Sequence, residues 1–394
     1  MKCKRCGNID PNYFYSGSKG IYCRKCVVFN RLLLNEDLNN LDYDIAKDAS
    51  DYELSFGLTK YQQIAANDTL SYLNEGVDVL LYCVCGAGKT EIVVPSISHY
   101  LQRGLKVCYA ISRREVVIEL TNRFKHIFKN SKVVSVYGGH HDEITGDLIV
   151  CTTHQLFRYY KTFDLLILDE VDAFPLSGNE TLMNISINAC AGQIIYSSAT
   201  VNDFLKDYLN KRKYREVNLY IRPSLKPLIV PKLIYCFNII NILLVGFLMK
   251  NMENQCIIFV SSRRKCKDLY TFYKRFFSCT YVYSDLKERN KNIMDFKNKK
   301  YKFIFATTVL ERGITIKDVN VIILVDRNGA FDCSNLVQMT GRVGRNYKNP
   351  YGKAYILSSL RDKEINKCIK EIKDANKKYE MSLLWWGNKQ DNVI

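Results

Sequence analysis

The stretch Asp78-Val-Leu-Leu-Tyr-Cys-Val-Cys-Gly-Ala-Gly-Lys-Thr-Glu91 joins an apolar run to a glycine-rich turn. The apolar run predicts a strand, and the glycines let consecutive backbone N–H groups approach a phosphate closely. Lys89 can then reach the β- and γ-phosphates, and the Thr90 hydroxyl is placed to bind Mg²⁺. The stretch therefore predicts a phosphate-binding loop, with nucleotide contacts from Gly86, Ala87, Gly88, Lys89, Thr90 and Glu91.

This loop departs from the strict phosphate-loop pattern at one position. The pattern G-x-x-x-x-G-K-[ST] has glycine where this chain has Cys83. A small side chain is tolerable there, but a strand-to-helix turn that binds no nucleotide is the alternative interpretation. A second motif is needed to choose between the two.

That second motif is the apolar run Phe163-Asp-Leu-Leu-Ile-Leu-Asp-Glu-Val-Asp172, which ends in acids. A Walker B strand has this form: its first acid holds Mg²⁺ through water, and its second orients and deprotonates the attacking water. Asp169 and Glu170 are the candidates for these two roles. Together the two motifs predict an NTPase.

Composition allows a protein of several domains with a polyanionic partner. The chain has 394 residues, 47% of them apolar, which predicts two or three domains. Its net charge of +17 favours nucleic-acid binding without sequence preference. A coding bias toward lysine would also scatter positive charge over the surface, so charge alone supports nucleic acid only weakly.

Cysteine usage predicts a cytoplasmic protein. Of the 15 cysteines, most lie singly inside apolar runs, as Cys108, Cys151 and Cys256 do. This pattern is typical of reduced, buried thiols. The N-terminus has no apolar segment with a cleavage site, so we expect no signal peptide.

The most hydrophobic stretch runs from Leu233 to Met249 and is short for a membrane span of about 20 residues. It also carries Asn238 and Asn241. We interpret it as a buried helix, with a peripheral membrane contact as the alternative.

The first 26 residues contain the array Cys3-x2-Cys6-x16-Cys23-x2-Cys26. This spacing predicts a structural zinc site whose four thiolates leave no open position for catalysis. Two disulfides or a coincidence of spacing are the alternatives. Nearby aromatic residues are candidates either for base stacking or for the small core of the module. They are Tyr13, Phe14, Tyr15 and Tyr22.

Strand-like and helical segments alternate through the rest of the chain, which predicts α/β domains with doubly wound parallel sheets. We assign residues 1–34 to a zinc module, 35–55 to a connector, 56–220 to a first domain, 221–231 to a proline-rich linker and 232–394 to a second domain. Ligands bind at the carboxyl ends of parallel strands. Residues at such ends include Arg113, Thr152, Ser198 and Thr200.

Two further segments carry candidate nucleotide residues. Thr59 is a plausible N-cap of a helix, and Gln62 after it could read an adenine edge, although an ordinary helix start would look the same. In the second half, Leu310–Thr315 and Gln338–Arg345 resemble functional motifs. Arg342 and Arg345 lie three apart on an expected helix, so they would point the same way and could act as arginine fingers.

The motifs Gly86–Thr90, Asp169–Asp172, Ser198–Thr200 and Gln338–Arg345, in this order and spacing, resemble those of superfamily-two helicases. The resemblance implies two RecA-like domains and an ATPase that uses ATP and Mg²⁺. The N-terminal four-cysteine module and the run Asp169-Glu-Val-Asp-Ala-Phe-Pro175 are similar to the ComFA family of late competence proteins. This second resemblance covers nearly the whole chain.

The ComFA resemblance implies a cytoplasmic, DNA-dependent ATPase that helps draw single-stranded DNA through a membrane channel during natural transformation. Partners would be other competence proteins at the inner face of that channel, and Zn²⁺ would fill the N-terminal module. Site roles implied by the helicase motifs follow. The residues that would bind ATP and Mg²⁺ are Lys89, Thr90, Asp169 and Glu170, with Gln62 for adenine and Arg342 and Arg345 for the γ-phosphate. Coupling of hydrolysis to domain movement would depend on Ser198, Thr200 and Gln338. The DNA strand would be contacted by Arg113, Thr152, Arg263 and Thr308.

Two other functions stay open at this point. One is another zinc-bearing helicase, of the replication-restart or repair type. The restart family places its zinc cysteines between helicase motifs, whereas here they precede all of them. The other is a nucleic-acid-binding adaptor with a vestigial ATPase, against which intact Lys89, Glu170 and Arg345 argue.

Overall fold

A computed structural model describes residues 1–45, 51–236, 238–311, 316–326 and 331–390, without the side chains of 238–239 and 384–390. Contacts divide the chain into two compact units. The first comprises Met1–Cys83 and Gly88–Leu219, and the second comprises Val84–Ala87 and Tyr220–Ile394.

The N-terminal module is a small hairpin. Strands β1 (Phe14–Gly17) and β2 (Gly20–Cys23) pair antiparallel, and a 3₁₀ segment, Arg24–Phe29, follows. The module's buried centre is the four cysteines, with Phe14 and Phe29 packed against them. So few apolar side chains make a core too small to hold such a module together without a crosslink or a metal.

The rest of the first unit is built on a seven-stranded sheet with the order β5-β6-β4-β7-β8-β3-β9, in which all the described pairs are parallel. The strands are β3 (Asp78–Cys83), β4 (Val107–Ile111), β5 (Val133–Val136), β6 (Leu148–Thr152), β7 (Phe163–Asp169), β8 (Cys190–Ser198) and β9 (Tyr214–Leu219). The helices are α1 (Lys60–Asn74), α2 (Lys89–Gln102), α3 (Arg114–Ile127), α4 (Glu180–Asn188) and α5 (Asp203–Leu209).

Burial explains why these apolar runs form strands. Every residue of β4 and of β6 is buried, as parallel strands require when helices cover both faces of a sheet. Cys108 on β4 and Cys151 on β6 are buried in this core, and Cys256 is buried in the second unit. The prediction of buried thiols at these three positions is confirmed.

The second unit contains a six-stranded sheet with the order β10-β15-β14-β11-β13-β12, again parallel in the described pairs. Its strands are β10 (Lys232–Tyr235), β11 (Cys256–Phe259), β12 (Cys279–Val282), β13 (Phe303–Ala306), β14 (Asn320–Val325) and β15 (Ala354–Ser358). Its helices are α6 (Asn238–Lys250), α7 (Arg263–Tyr273), α8 (Arg289–Lys297), α9 (Cys333–Thr340) and α10 (Lys363–Gln390). The predicted class, two doubly wound parallel-sheet domains after a four-cysteine module, is confirmed.

The prediction of one buried helix over Leu233–Met249 is wrong. The segment contains edge strand β10 and then helix α6, and α6 buries only one side. Val245 is fully buried, whereas Leu243 is 70% exposed and Phe247 is 64% exposed. Among the described residues, no helix combines the length and the apolar character that crossing a membrane requires.

We predict that Gly192→Ala destabilises the first unit. Gly192 lies on β8, where an added Cβ would overlap the Asp164 carbonyl oxygen of β7. A backbone atom in a paired strand cannot move aside as a flexible side chain can, so we expect a loss of about 1–3 kcal/mol. The check is the urea midpoint followed by circular dichroism.

The matched control is Gly138→Ala. Gly138 is exposed, and nothing lies within 4 Å of its added Cβ. An equal shift of the midpoint in both variants would contradict the steric explanation.

Candidate nucleotide and zinc sites

The phosphate-loop residues lie between the end of β3 and the start of α2. Gly86 and Gly88 have φ angles of 82° and 88°, which residues other than glycine rarely adopt. Helix α2 begins at Lys89, so its first N–H groups and its positive end lie at the turn. This is the local geometry that an anion-binding loop requires.

Cys83, the departure from the strict pattern, is the last residue of β3 and is fully buried. Burial raises the pKa of its thiol to about 12. The side chain is therefore neutral at physiological pH and adds no negative charge beside the loop. We infer that cysteine replaces glycine here without disturbing the electrostatics of a phosphate site.

Gln62 is buried and packs against the loop. Its Oε1 accepts from the Thr59 N–H at 2.9 Å in a capping box, which confirms Thr59 as the N-cap of α1. An added Cβ at Gly88 would overlap the Gln62 amide nitrogen, which lies at the flexible end of its side chain, so the need for glycine comes from the φ angle of 88°. The adenine-reading role of Gln62 stays a prediction.

Glu91, in the first turn of α2, forms an ion pair with Arg123 of α3. An acid in the first turn stabilises a helix, and this pair also ties α2 to α3. The carboxylate is engaged by protein, so a direct contact between Glu91 and a nucleotide stays a prediction.

Asp169 lies at the carboxyl end of β7, where several donors converge on its carboxylate. The Ser197 hydroxyl donates to Oδ1 at 2.9 Å, and the Tyr109 hydroxyl donates to Oδ2 at 2.8 Å. The Nζ of Lys89 lies 3.9 Å from Oδ1. The structure thus brings the lysine of the phosphate-binding (Walker A) loop and the aspartate of the Walker B strand together, with chemistry that suits Mg²⁺ and phosphate.

Tyr109 and Ser197 are site residues that sequence reasoning missed. Burial, together with the nearby Asp169 carboxylate, raises the pKa of Tyr109 well above its ordinary value. Tyr109 therefore stays protonated and acts as a donor to Asp169. A phenol inside the otherwise apolar run of β4 was the available signal.

Glu170 has a left-handed backbone conformation, with φ of 56°. Such a conformation is uncommon for a residue with a side chain and costs about 1 kcal/mol or more. Its N–H donates to Asp169 Oδ1 at 3.0 Å, which helps hold the turn. The backbone therefore leaves the path of β7 at Glu170, the residue directly after the strand ends.

The predicted coupling residues Ser198 and Thr200 are linked by hydrogen bonds to the last residue of the acidic motif, Asp172. The Thr200 hydroxyl donates to Asp172 Oδ2 at 2.7 Å. Ser198 hydrogen-bonds the Thr200 backbone through its hydroxyl. The segment after β8 is therefore linked to the segment after β7.

The prediction that Arg342 and Arg345 lie on one helix is wrong. Helix α9 ends at Thr340, and Gly344, between the two arginines, has φ of 72°, so the chain turns there. Arg342 is 2% exposed and donates from Nε to the Glu311 carbonyl at 3.1 Å. Arg345 donates from Nε to the Gly341 carbonyl at 2.8 Å.

Arg222, in the predicted linker, is a further residue that sequence reasoning missed. It is buried and donates from Nη1 to the Val343 carbonyl at 2.9 Å and to the Gly344 carbonyl at 3.3 Å. Burial and the charge of Arg345 lower its pKa to about 10. Arg222 therefore stays charged and holds the turn that carries the two arginines.

The residues predicted to contact the DNA strand lie at the carboxyl ends of parallel β-strands or just after them. Arg113 is the N-cap of α3 after β4, and Thr152 ends β6. Thr308 begins a 3₁₀ turn after β13, and Arg263 begins α7 and pairs with Asp285.

The two predicted motifs of the second unit are Gln338–Arg345 and Leu310–Thr315. Gln338 lies in α9 and is buried. Residues 312–315 of the motif Leu310–Thr315 lie outside the described residues.

The four N-terminal cysteines are buried, and their sulfur atoms all lie within 4.8 Å of one another. The Cys3–Cys26 and Cys6–Cys23 sulfur pairs are 3.7 and 3.8 Å apart. A tetrahedral zinc site with Zn–S bonds of about 2.3 Å has edges of about 3.8 Å, so the cluster fits zinc. These separations far exceed a disulfide bond of about 2.05 Å.

Hydrogen bonds from the Cys26 and Cys6 thiols lower the pKa of Cys3, whereas the hydrogen bond to Cys3 raises the pKa of Cys26. The metal-free cluster therefore favours one thiolate, and zinc binding must displace the protons of the other thiols. Helix α4 holds the cluster from one side, because Asn184 donates to the Cys6 carbonyl at 3.1 Å and Asn188 donates to the Arg5 carbonyl at 2.9 Å.

The aromatic residues of the module differ in burial. Phe14 packs against the cysteines, whereas Tyr13 and Tyr15 are 42% and 46% exposed. Each exposed ring has a cation beside it: Lys25 Nζ lies 5.3 Å from the centre of Tyr13, and Arg24 Cζ lies 4.8 Å from the centre of Tyr15. Of the four predicted aromatic residues, Phe14 serves the core, Tyr13 and Tyr15 form an exposed aromatic and basic face, and Tyr22 is half-buried with Arg31 Cζ 4.6 Å from its ring centre.

Two family descriptions match the chain. Residues 59–208 match DEAD/DEAH box helicase, and residues 237–347 match helicase conserved C-terminal domain. The chain is 32% identical to competence protein ComFA of Bacillus subtilis over 400 residues, covering 95% of this chain and 85% of that protein. It is 28% identical to competence protein ComFA of Streptococcus pneumoniae, with coverage of 95% and 90%.

Solved structures of helicases share the fold. Dbp5 of S. cerevisiae, bound to RNA and ADP BeF3, has a TM-score of 0.59 at 18% identity over 81% of this chain and 92% of that one. The Mycobacterium smegmatis helicase Lhr, bound to ssDNA and AMP-PNP, has a TM-score of 0.60 at 16% identity over 79% and 48%. At these identities the likeness concerns architecture.

We predict that protein purified under reducing conditions contains about one zinc per chain. Cys23→Ser should lose the metal because a three-thiolate site binds zinc far more weakly, while the α/β units stay folded. Metal content by mass spectrometry is the measurement. Cys236→Ser, at a half-exposed cysteine outside the cluster, is the control and should keep the zinc.

We also predict that Tyr109→Phe raises the Mg²⁺ concentration needed for half-maximal ATP hydrolysis by about tenfold, the order seen when a partner of a metal ligand is removed. Mg²⁺-dependent binding of a fluorescent ATP analogue should shift in parallel. Tyr196→Phe is the control, since Tyr196 is buried on β8 and its hydroxyl has no hydrogen-bond partner among the described residues. Equal shifts in both variants would count against a positioning role for Tyr109.

Proposed function

The chain belongs to the ComFA family of competence proteins, and from this premise we propose that it is an ATP-dependent single-stranded-DNA translocase that helps drive DNA uptake in natural transformation. Its family and helicase domains make it a competence-related, helicase-type ATPase. The observation that best supports the motor is the convergence of Lys89 and Asp169, whose charged atoms lie 3.9 Å apart at the end of β7.

In this proposal the first unit binds ATP and prepares its hydrolysis. The loop N–H groups and Lys89 would bind the phosphates, and Asp169 and Thr90 would hold Mg²⁺, which would supply positive charge to the bound nucleotide. Glu170 then orients a water and takes its proton. Tyr109 and Ser197 keep the Asp169 carboxylate in position throughout.

Residues of the second unit are proposed to complete the cycle. Arg342 and Arg345 would stabilise charge on the γ-phosphate as arginine fingers, and Arg222 would hold their turn. Gln338 would act with Ser198 and Thr200 to transmit the state of the nucleotide. For the first unit, the Thr200–Asp172 hydrogen bond supports such a link.

We propose that the protein binds DNA without recognising its base sequence. Arg113 and Thr152 would contact the strand from the first unit, and Arg263 and Thr308 from the second. Backbone phosphates and stacked bases are the features that every single strand offers. The net charge of +17 suits this mode of binding.

We propose that the zinc module is an additional binding site for the DNA strand. Exposed Tyr13 and Tyr15 would stack on bases, and the cations beside them, Lys25 and Arg24, would meet phosphates. Base stacking on an aromatic side chain contributes about 1–3 kcal/mol per base. A structural zinc site would keep this face rigid.

We propose a cytoplasmic location, with other competence proteins at the inner face of the membrane channel as partners. The domain assignment proposed for this function is residues 1–34 for zinc, 56–220 for ATP and 232–394 for the second RecA-like domain, with 35–55 and 221–231 as connections.

We predict that single-stranded DNA stimulates ATP hydrolysis more than duplex DNA or RNA of equal length, independently of base sequence and falling steeply with salt. Glu170→Gln should slow the stimulated rate by about 100-fold. Tyr13→Ala with Tyr15→Ala should weaken strand binding while leaving the unstimulated rate unchanged. Phosphate release and fluorescence anisotropy measure the two effects.

The control for the aromatic pair is Tyr301→Ala. Tyr301 also lies beside a cation, with Lys300 Nζ 5.8 Å from its ring, but it precedes β13 at the amino end of the strand. Stronger stimulation by duplex or RNA would favour another zinc-bearing helicase. Strand binding without any hydrolysis would favour an adaptor with a vestigial ATPase.

A further inference from the structure

Arg222 contacts the phosphate-binding loop as well as residues 341–345, which we call the arginine turn. Cys85 of the loop, Arg222 and the arginine turn all belong to the second compact unit. Arg222 donates from Nε to the Cys85 carbonyl at 2.8 Å. Its two Nη atoms donate to three carbonyls of the arginine turn, at 2.9, 3.3 and 3.4 Å. One buried guanidinium therefore bridges the loop and the turn.

The chain segment that follows Arg222 is held on helix α10. The Tyr379 hydroxyl donates to the Leu225 carbonyl at 2.8 Å. Asn376 accepts from the Leu228 N–H at 2.8 Å and donates to the Leu228 carbonyl at 2.9 Å. The Arg222 guanidinium is therefore presented to the loop from a backbone that is itself fixed.

Cys85 packs directly against the end of helix α9. Its thiol donates to Gln338 Oε1 at 3.3 Å. An added Cβ at Gly341 would lie 2.4 Å from the Cys85 Cβ, which no flexible side chain could relieve. Because Gly341 has φ of −64°, which any residue adopts, glycine is needed there for space. The loop and the arginine turn are thus packed too closely to admit one methyl group.

The bond from Arg222 sets the direction of the peptide between Cys85 and Gly86. In a trans peptide the carbonyl and the following N–H point to opposite sides, so the Gly86 N–H points away from the guanidinium. The N–H groups of such a loop are the donors that bind phosphate. A cation on the carbonyl also polarises the peptide and makes its N–H a stronger donor.

We propose that Arg222 is a positioning residue for the diphosphate part of the nucleotide, because it orients the Cys85–Gly86 peptide while it holds the arginine turn. The inference rests on the ATP site of the proposed function. Holding the arginine turn alone would matter only for the γ-phosphate, which ATP has and ADP lacks. Orienting the loop peptide matters for both nucleotides.

The test is the affinity of the full chain for a fluorescent ADP analogue. Arg222→Lys keeps the positive charge, but a compact ammonium cannot span the four carbonyls that the planar guanidinium reaches. We expect ADP affinity to fall by about tenfold or more, the order of one hydrogen bond to a charged group. The KM for ATP should rise in parallel.

Gly341→Ala is a second variant, which leaves Arg222 in place and displaces Cys85 through the added methyl group. It should also weaken ADP binding by about tenfold, since the same loop peptide is misplaced. Circular dichroism and the thermal midpoint establish that each variant is folded. The two variants change different residues, so either one that folds tests the inference.

Matched controls separate the loop from the turn. Arg345→Met removes the guanidinium of Arg345 and keeps the aliphatic stem, whose Cγ would lie 3.6 Å from an added Cβ at Gly86. This variant should slow hydrolysis and leave ADP affinity unchanged. Gly138→Ala, at an exposed glycine with open space around its added Cβ, is the control for Gly341→Ala and should bind ADP as the wild type does.

Unchanged ADP affinity in folded Arg222→Lys or Gly341→Ala protein would overturn the inference and leave the proposed motor standing. An equal loss of ADP affinity in Arg345→Met would also overturn it, because the arginine turn would then account for the effect. Arg222-dependent ADP binding by a protein whose hydrolysis DNA does not stimulate would support the inference and reject the translocase.

Discussion

The position of the Asp169 carboxylate is the constraint on which the nucleotide site depends. Donors from separate elements meet there: Tyr109 from β4, Ser197 from β8 and the backbone of Glu170. A hydrogen bond to a charged group contributes about 1.5–3 kcal/mol, so the three together define the orientation of the carboxylate strongly. Because Lys89 begins α2 beside it, the parallel sheet itself sets the distance between the two Walker motifs.

The zinc module is joined to this same region through helix α4. The segment after β7 carries Glu170 and Asp172 and then leads into α4, whose Asn184 and Asn188 hold the backbone of the cysteine loop. Ile185 of the same helix packs against the cysteines. The four-cysteine cluster therefore contacts one end of the helix that follows the predicted catalytic acids, Asp169 and Glu170.

Helix α6 shows that a high content of hydrophobic residues does not by itself predict that a helix is buried on all sides. Its residues are almost all apolar, which favours burial, yet an outer helix on a sheet has only one side to bury. Val245 and Met249 fill that side, and Leu243 and Phe247 remain exposed. An apolar run therefore predicts a helix here without predicting how many of its sides are buried.

The sequence alone predicted most of the strands, the two Walker motifs, the four-cysteine cluster and the family, because these depend on local patterns: apolar runs, glycine at turns and fixed spacing. Tertiary structure decided what depends on neighbours distant in the chain. It placed Tyr109 against Asp169, buried Arg222 under the turn of Arg342, and ended α9 before the two arginines. Local periodicity cannot reveal these features, since a hydrogen bond between strands or a turn held by a buried cation arises only when separate segments pack together.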